Sequence, residues 1–384
     1  MRVASIFPAA TEIVCLLGAE SLLVARAHDD DSPPSVAALP ALSAPAAPLD
    51  AAASLAADPP FTLDLALLAQ LRPDLLLTPA LPSASAAAAA AAAAALPHPP
   101  RVLSLSPRSL GDVLSSILQL GAALDRPAAA DAALRALRAR IAAVDARVAA
   151  RRARGAPARR LAFLSSAAPP QLGGLWVPQL LERAGGTHPL LAAAPHAGGA
   201  APPPRAVSAE ELAALDPELL LVAPRGEDLR GARRAVRSLA AGEWWGRLQA
   251  VARRRVLLVD GAAFSRPGPR LVDALEWLCA VLGEEGEPWP RGFPAEWLES
   301  APPPPPPPPG GEEMADIEEA HACAVRLGKL QYTDPRTGYH VFTQIALEQR
   351  GYCCGNGCRH CAYDHVNVPP RRKATLRPPI IVKK

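Results

Sequence analysis

Residues 61–79 read FTLDLALLAQLRPDLLLTP, and residues 207–224 read VSAEELAALDPELLLVAP. Each stretch runs from a hydroxyl residue through a leucine- and alanine-rich helical segment and a proline break to an apolar strand. Asp64 and Glu210 are expected in the first turns of the two helices, where a carboxylate stabilises the helix dipole. A helix–turn–strand unit repeated after about 145 residues predicts two similar α/β lobes with a ligand cleft between them.

Composition excludes several classes of function. The 384 residues are enough for two or three domains, and half of them are apolar. A net charge of +3 and an aromatic content of 4% argue against a nucleic-acid partner. No catalytic triad, paired-carboxylate site or phosphate loop stands out, so we predict that the chain is not an enzyme.

The N-terminal sequence and the cysteine content predict a location. The chain opens directly on a strand-like segment, without the pattern of a secretory signal, and no uninterrupted apolar stretch reaches about 18 residues. The seven cysteines are an odd number and do not suggest a disulfide framework. These features predict a soluble intracellular protein in the cytoplasm, with an organellar location left open, and no membrane partner.

The chain divides into segments of different composition. Eight consecutive prolines separate a large α/β region from a small cysteine-rich one, and a long segment with one apolar helical face lies between the two lobes. The predicted parts are an N-terminal α/β lobe (1–104), connecting helices (105–158), a C-terminal α/β lobe (159–300), a polyproline linker (301–311), a cysteine-rich module (312–368) and a disordered basic tail (369–384).

Four segments of the large region carry a family resemblance: RVASIFPAATEIVCLLGAE, ARAHDDDSPPSVAALPALS, GGLWVPQLLERAGG and VDGAAFSRPGPRLVDALEWL. Residues 1–299 thereby resemble the class III periplasmic substrate-binding proteins of ABC importers, which bind cobalamin and iron siderophores. The resemblance implies an α/β fold of two Rossmann-like lobes joined by a long rigid helix. It also implies a cleft for a corrinoid, tetrapyrrole or iron-chelate ligand at the carboxyl ends of the strands.

The resemblance further implies which residues face that ligand. Trp176 follows two glycines, and its ring is suited either to form a flat apolar wall for the ligand or to pack in the core. Arg266 stands between Ser265 and a proline, where its guanidinium can pair with an anionic group. The implied ligand-facing residues are Pro8, Ala9, His28, Asp29, Trp176, Phe264, Ser265 and Arg266.

The segment RGYCCGNGCRHCAY (350–363) resembles a small uncharacterised cysteine-rich domain, which the match extends to about residues 316–368. The glycines between its cysteines allow a tight backbone turn that brings thiolates together. Four thiolates suit zinc or an iron–sulfur cluster, and the alternative is a redox-active or free thiol cluster without a metal. The predicted metal ligands are Cys353, Cys354, Cys358 and Cys361, with His360 and His365 as alternatives.

Two hypotheses about function follow from these features. The first is a non-catalytic protein that binds a small-molecule ligand in its cleft and carries a metal-binding cysteine module. The second is a redox or metal-handling protein in which the cysteine module is active and the lobes are a scaffold. Under either hypothesis, the polyproline segment is a candidate site for protein partners.

Overall fold

The structure is a computed structural model that describes residues 1–45, 61–80, 84–191, 201–283, 292–298, 315–335, 340–354, 358–368 and 379–381. These residues fall into two compact units, 1–302 and 303–384, and each is described by itself below. The predicted polyproline linker at 301–311 lies outside the described residues. The predicted tail at 369–384 also lies outside them, except for residues 379–381.

The first lobe is built around a short parallel sheet. Its elements are β1 (Val3–Ser5), α1 (Pro8–Leu16), β2 (Leu23–Ala25), β3 (Ser43–Pro45), β4 (Phe61–Leu63), α2 (Leu65–Leu71), β5 (Leu75–Pro79), α3 (Ala84–Ala94) and β6 (Arg101–Leu105). The sheet has four parallel strands in the order β2-β1-β5-β6, while β3 and β4 form a separate antiparallel pair. Every residue of β5 is buried, as expected of a central strand covered on both faces.

The alanine run after β5 forms a helix. The low complexity of residues 80–100 predicts a variable insert that is helical at most in part, and α3 spans eleven of these residues. Alanine has the highest helix propensity, and its small side chain allows close approach to a neighbouring element. Ala89 and Ala93 are buried in the same cluster as Leu68 and Leu76, so the run supports the outer face of the sheet.

Two helices connect the lobes, α4 (Leu110–Ala123) and α5 (Pro127–Ala153). With 27 residues, α5 is about 40 Å long at 1.5 Å per residue. Its buried face is formed by Ala130, Leu134, Leu137, Ile141, Val144 and Val148. This face explains why the helical periodicity of the sequence is so regular, and it confirms the prediction of a long rigid helix between two α/β lobes.

The second lobe has a larger mixed sheet. Its elements are β7 (Arg159–Ala167), β8 (Pro170–Leu172), α6 (Val177–Arg183), β9 (Gly186–Thr187), β10 (Arg205–Ala206), α7 (Ala209–Leu215), β11 (Leu219–Val222), α8 (Leu229–Ala240), α9 (Gln249–Ala252), β12 (Val256–Val259), α10 (Ala262–Ser265), α11 (Leu271–Val281) and β13 (Ala295–Trp297). The sheet order is β10-β8-β7-β11-β12-β13, with β9 beside β7. Strands β7, β11 and β12 are parallel and form its centre.

The repeated sequence unit occupies equivalent places in the two lobes. Asp64 is the N-cap of α2 and accepts a hydrogen bond from the Leu67 amide at 2.9 Å, whereas Ser208 is the N-cap of α7. Each helix has seven residues and ends in a left-handed residue before proline, Arg72 in the first copy and Asp216 in the second. The repeats therefore align without a gap when Asp64 is matched to Ser208.

Glu210 does not take the place in the second copy that Asp64 takes in the first. In α7, the capping box is closed by Glu211, which accepts from the Ser208 amide at 2.9 Å. Glu210 is exposed in the first turn, and its pKa is lowered by hydrogen bonds from the backbone and from the Ser208 hydroxyl. Asp64 is a capping residue, while Glu210 only adds negative charge to the positive end of the helix dipole.

The second unit is small. It contains α12 (Ala315–Arg326), β14 (Gln331–Thr333), β15 (His340–Phe342) and α13 (Gln344–Arg350). Strands β14 and β15 form an antiparallel pair, and the buried cluster beside them is limited to Ile317, Ala324 and Tyr332. In neither unit does a described helix combine the length and the apolar character needed to cross a membrane.

Candidate functional site

Loops from both lobes meet at the carboxyl ends of the parallel strands. Pro8 and Ala9 begin α1 directly after β1, and His28 and Asp29 follow β2. From the second lobe, Arg266 follows the short helix α10, which itself follows β12. Open α/β sheets bind ligands at this edge because the loops there are free to vary while the strands hold them in place.

Arg266 makes the central contact between these loops. Its guanidinium donates to a carboxylate oxygen of Asp31 and, at 2.5 Å, to the backbone carbonyl of Asp29. The carboxylate of Asp29 lies 3.9 Å away. Only 15% of the Arg266 side chain is exposed, so the structure brings the predicted residues Asp29 and Arg266 together across the two lobes.

A second arginine, Arg270, extends this network. It donates to Glu12 Oε1 from Nε at 2.9 Å and from Nη2 at 2.5 Å, and its Nη2 also lies 2.9 Å from Asp31 Oδ1. Glu12 is buried on α1, and its Oε2 has no hydrogen-bond partner among the described residues. Burial raises the pKa of Glu12, and the Arg270 guanidinium opposes that effect.

The backbone passes close to Glu12 at Gly268. A Cβ atom built on Gly268 would lie 2.7 Å from Glu12 Oε2 and 3.6 Å from the Cα of Ala9. A side chain at this position of the segment RPGPR would therefore push against the Glu12 carboxylate. The close approach also places the predicted residue Ala9 against the loop of the other lobe.

Asp30 lies in a buried polar network next to the arginines. Its Oδ2 accepts from the Thr11 hydroxyl at 3.0 Å and from the Ala27 amide at 2.8 Å, while Oδ1 is buried without a partner in the described part of the chain. Thr11 also bonds to Ser5 at 2.8 Å. Burial raises the pKa of Asp30 to about 6, against the lowering effect of these hydrogen bonds.

His28 is attached to the first lobe and does not reach the arginines. Its Nδ1 lies 2.9 Å from the Ser43 hydroxyl and 3.8 Å from an Asp29 carboxylate oxygen. Its backbone amide also donates to Ser43. The structure therefore gives His28 a role in fixing the loop after β2, and Asp29 is the residue of this pair that meets the second lobe.

Trp176 and Phe264 lie in the core. Trp176 is 5% exposed, and its indole N–H donates to the Phe264 carbonyl at 2.7 Å. Phe264 is 2% exposed and packs edge-on against Phe163 and Trp277. Both side chains pack in the layer beneath the loops and also border a small cavity there. Contact of either residue with a ligand stays a prediction.

The glycines before Trp176 allow this packing. Leu175 has a φ of 57°, and its amide donates to the Pro202 carbonyl at 2.6 Å. A Cβ atom on Gly174 would lie 2.3 Å from the backbone of Pro203. The close backbone crossing therefore accounts for glycine at position 174.

Two cavities border the loops. The smaller, of about 30 Å³, lies between Trp176 and Ser265. The larger, of about 500 Å³, opens beside Asp31 and Arg270. Its lining among the described residues consists of Asp31, Arg140, Asp260, Ala262, Ala263, Arg270, Asp273, Glu276, Gly292, Phe293 and Pro294. Of these two, the larger one has the volume of a typical small-molecule site.

Sequence reasoning missed the three residues that complete the charged network: Glu12, Asp31 and Arg270. Asp31 ends the run His-Asp-Asp-Asp, and Arg270 ends Pro-Gly-Pro-Arg, so each lies close to a residue that the resemblance does imply. Opposite charges within two segments expected at the same sheet edge are a usable signal. Glu12 gives none, since a glutamate in the first turns of a helix is ordinary.

The four cysteines of the second unit are arranged as two pairs. The sulfur atoms of Cys354 and Cys358 are 3.3 Å apart, and those of Cys353 and Cys361 are 3.8 Å apart. Burial, followed by the contact with Cys354, raises the pKa of Cys358 to about 11. Within the described part of the chain, no three cysteine, histidine or carboxylate side chains are grouped closely enough to hold a metal ion.

The two histidines named as alternative ligands differ. His360 has both ring nitrogens engaged, with Tyr332 at 2.7 Å and the Ile380 carbonyl at 2.8 Å. His365 places Nε2 at 2.8 Å from the Cys358 carbonyl, so Nε2 is the donor in this contact. Hydrogen bonds of this kind orient metal-binding histidines, which favours His365 over His360.

Several solved structures share the fold of the large unit. A periplasmic heme-binding protein from Pseudomonas aeruginosa is 26% identical, with a TM-score of 0.56 over 73% of this chain and 92% of that one. The vitamin B12 binding protein BtuF of Vibrio cholerae is 20% identical, with a TM-score of 0.52 over 73% and 96%. An Fe³⁺-hydroxamate transport protein from Saccharomonospora viridis is 21% identical, with a TM-score of 0.54 over 74% and 93%.

These relatives correct the predicted location. The absence of a signal pattern and the cysteine content predict a cytoplasmic protein, but the heme- and B12-binding relatives are periplasmic substrate-binding proteins. The cytoplasmic prediction is therefore wrong.

The small unit has its own match. Residues 320–367 match a family of unknown function (DUF5522). This agrees with the resemblance to an uncharacterised cysteine-rich domain, and the family description assigns no activity to the module.

The large unit matches a described protein family. Residues 3–263 match the family described as periplasmic binding protein. Its members are solute-binding proteins without enzymatic activity, which confirms that the chain is not an enzyme. Because the match covers more than half of the 384 residues, the chain belongs to the periplasmic binding protein family.

Proposed function

We propose that the large unit binds a tetrapyrrole, corrinoid or iron-chelate ligand between its lobes, in contact with Arg266. The observation that carries this proposal is the meeting of loops from both lobes around one largely covered guanidinium. Family membership supports ligand binding as such, and the fold shared with heme-, B12- and hydroxamate-related proteins supports this range of ligands.

The charge of the site favours a ligand with acidic groups. Arginine presents a planar set of donors that matches a carboxylate, and it cannot lose its charge at neutral pH. Heme carries two carboxylates, and the 26% identical relative is a heme-binding protein. We therefore choose hemin as the first ligand to test.

The available space indicates where such a ligand enters. The cavity of about 30 Å³ at Trp176 holds about one water molecule. The pocket of about 500 Å³ beside Arg270 and Asp31 falls within the range of small-molecule sites. We infer that the ligand enters from the pocket side and reaches Arg266 when the contacts between the lobes open.

Replacing Arg266 by alanine is expected to weaken hemin binding by about 10- to 100-fold, the factor that corresponds to loss of a charge-assisted hydrogen bond. Absorbance titration of the full chain with hemin measures this. Arg183→Ala is the matched control, because Arg183 is also partly buried and pairs with Asp145, at 2.6 Å, away from these loops. Equal affinity of the Arg266 variant and the wild type would contradict the proposed site.

We also propose, as the second candidate function, that the cysteine module binds a metal ion or an iron–sulfur cluster. Four thiolates bound to zinc at about 2.3 Å lie about 3.8 Å from one another. The two pairs of sulfur atoms have separations of 3.3 and 3.8 Å, so each pair has the spacing of one edge of such a site. The pairs have to approach each other for a metal to be held by all four, with His365 as the alternative fourth ligand.

Elemental analysis and absorption spectra of the anaerobically purified chain test this second candidate. We expect about one zinc ion or one iron–sulfur cluster per chain, lost in a Cys354→Ser/Cys358→Ser variant. A Cys323→Ser variant is the control, since Cys323 is an exposed thiol of the same unit outside both pairs. Iron with sulfide would favour redox activity of the module, whereas a metal-free wild-type chain would exclude the site.

A further inference from the structure

Both arginines of the network bind the same carboxylate oxygen. Arg266 donates through Nη1, and Arg270 through Nη2 at 2.9 Å, to Oδ1 of Asp31. Two guanidiniums converging on one oxygen form the kind of site that binds the carboxylate of a ligand. In this structure, a side chain of the protein itself supplies that carboxylate.

Exposure separates Asp31 from the other acidic partner. The Glu12 side chain is 6% exposed and cannot leave Arg270 without stranding a buried charge. The Asp31 side chain is 46% exposed, lies on a loop and lines the pocket of about 500 Å³. An exposed ion pair shifts an equilibrium by at most about fivefold, so Asp31 is the partner that can be displaced.

The local charges give a reason for displacement. Arg266 and Arg270 face the carboxylates of Glu12, Asp29 and Asp31, so the network holds more acidic than basic groups before any ligand enters. A ligand carboxylate added to this set is repelled unless one acidic group moves away. Of these three carboxylates, Asp31 is the one that contacts both arginines, and it faces the pocket.

We propose that Asp31 is an internal competitor for the ligand: it occupies Arg266 and Arg270 in the unliganded protein, and a free carboxylate of the ligand replaces it. This inference rests on the proposed function and narrows the ligand class to molecules with a free carboxylate. An esterified ligand of the same shape carries no charge with which to displace Asp31. Asp31 thereby determines specificity as well as holding the lobes together.

The ion pair between Asp31 and Arg266 can be tested without any ligand. Phenylglyoxal modifies accessible arginines, and mass spectrometry of the digested full chain gives the rate at Arg266. We expect Asp31→Asn to raise this rate about fivefold, the upper limit set by an exposed ion pair. Asp145→Asn, which releases Arg183 instead, should leave the Arg266 rate unchanged. An unchanged rate in the Asp31 variant would overturn the inference whatever hemin does.

The competition is tested with hemin and its dimethyl ester. Asp31→Asn should bind hemin about fivefold more tightly than the wild type, while affinity for the ester stays the same. An equal gain in affinity for hemin and for the ester would overturn the competition. Asp31 would then only connect the two lobes. A third outcome is that neither the wild type nor Asp31→Asn binds hemin, while phenylglyoxal modifies Arg266 faster in the variant. The proposed ligand class and the competition would then both be wrong. The ion pair between Asp31 and Arg266 would have a purely structural role.

Discussion

Replacing Trp277 by alanine should lower the free energy of unfolding of the large unit by about 3–5 kcal/mol, the usual cost of removing a large buried aromatic side chain. Trp277 is fully buried on α11. Its ring stacks on Phe293 at 4.5 Å between centroids and packs against Phe264 at 6.1 Å. Truncation leaves a cavity where the helix, the loop after β12 and the segment before β13 meet, and partial collapse cannot fill it.

Urea denaturation of the full chain measures this loss, with far-ultraviolet circular dichroism as a signal that does not depend on tryptophan fluorescence. Trp297→Ala is the control, because Trp297 lies on the edge strand β13 with 36% of its surface exposed. Its truncation removes less buried area and should cost no more than about half as much. A loss below about 1 kcal/mol for Trp277→Ala would show that this aromatic cluster does not anchor the lobe.

The same cluster connects stability to the candidate site. Phe264 accepts the indole hydrogen bond of Trp176 and precedes Arg266 by two residues. The packed aromatic rings beneath the loop therefore hold the backbone near Arg266 in place, while the ion pairs hold its guanidinium. Loss of Trp277 is expected to weaken hemin binding as well as folding, although the effect reaches the charged network only through Phe264.

The spacing of the apolar residues and the positions of proline and glycine made the fold predictable. The repeated helix–turn–strand unit, the apolar face of α5 and the family segments all depend on local patterns that tertiary packing preserves. The direction of Trp176 and Phe264 was not predictable in the same way. A large aromatic residue after a Gly-Gly turn satisfies packing and ligand binding equally well until the position of the neighbouring Pro202–Pro204 segment is known.

The charged network shows a second limit of sequence reasoning. Arg266 is identifiable from its rigid context, but its partner Asp31 lies 235 positions away along the chain, and only the tertiary fold brings them together. The cysteine module shows the converse. Its four thiols are close together in sequence, so their proximity was easy to predict, yet the backbone conformation places them in two pairs.

The second large effect concerns His188, which should make the large unit lose stability as the pH falls from 6.5 to about 4. His188 is 2% exposed after β9, and neither ring nitrogen has a hydrogen-bond partner among the described residues. Burial lowers its pKa to about 4 from an ordinary 6.5. Between pH 6.5 and 4, His188 is protonated in the unfolded chain but neutral in the folded one, so lowering the pH favours unfolding.

The expected size follows from one proton. Stability falls by up to about 1.4 kcal/mol per pH unit in this interval, or about 3 kcal/mol in total. Asp30 acts in the opposite direction, because its pKa of about 6 in the folded state lets the folded protein take up a proton first. The difference between wild type and a His188 variant isolates the histidine, since Asp30 contributes equally to both.

Two substitutions at His188 separate titration from burial. His188→Gln removes the titrating group but keeps a buried polar side chain, whereas His188→Leu removes both. In urea melts, both variants should lack the loss of stability between pH 6.5 and 4 that the histidine causes in the wild type. Only the leucine variant should also gain stability at neutral pH, by about 1 kcal/mol, because it removes a buried polar side chain that has no side-chain hydrogen-bond partner among the described residues. Parallel profiles for all three proteins would mean that His188 is protonated, or reached by water, in the folded state.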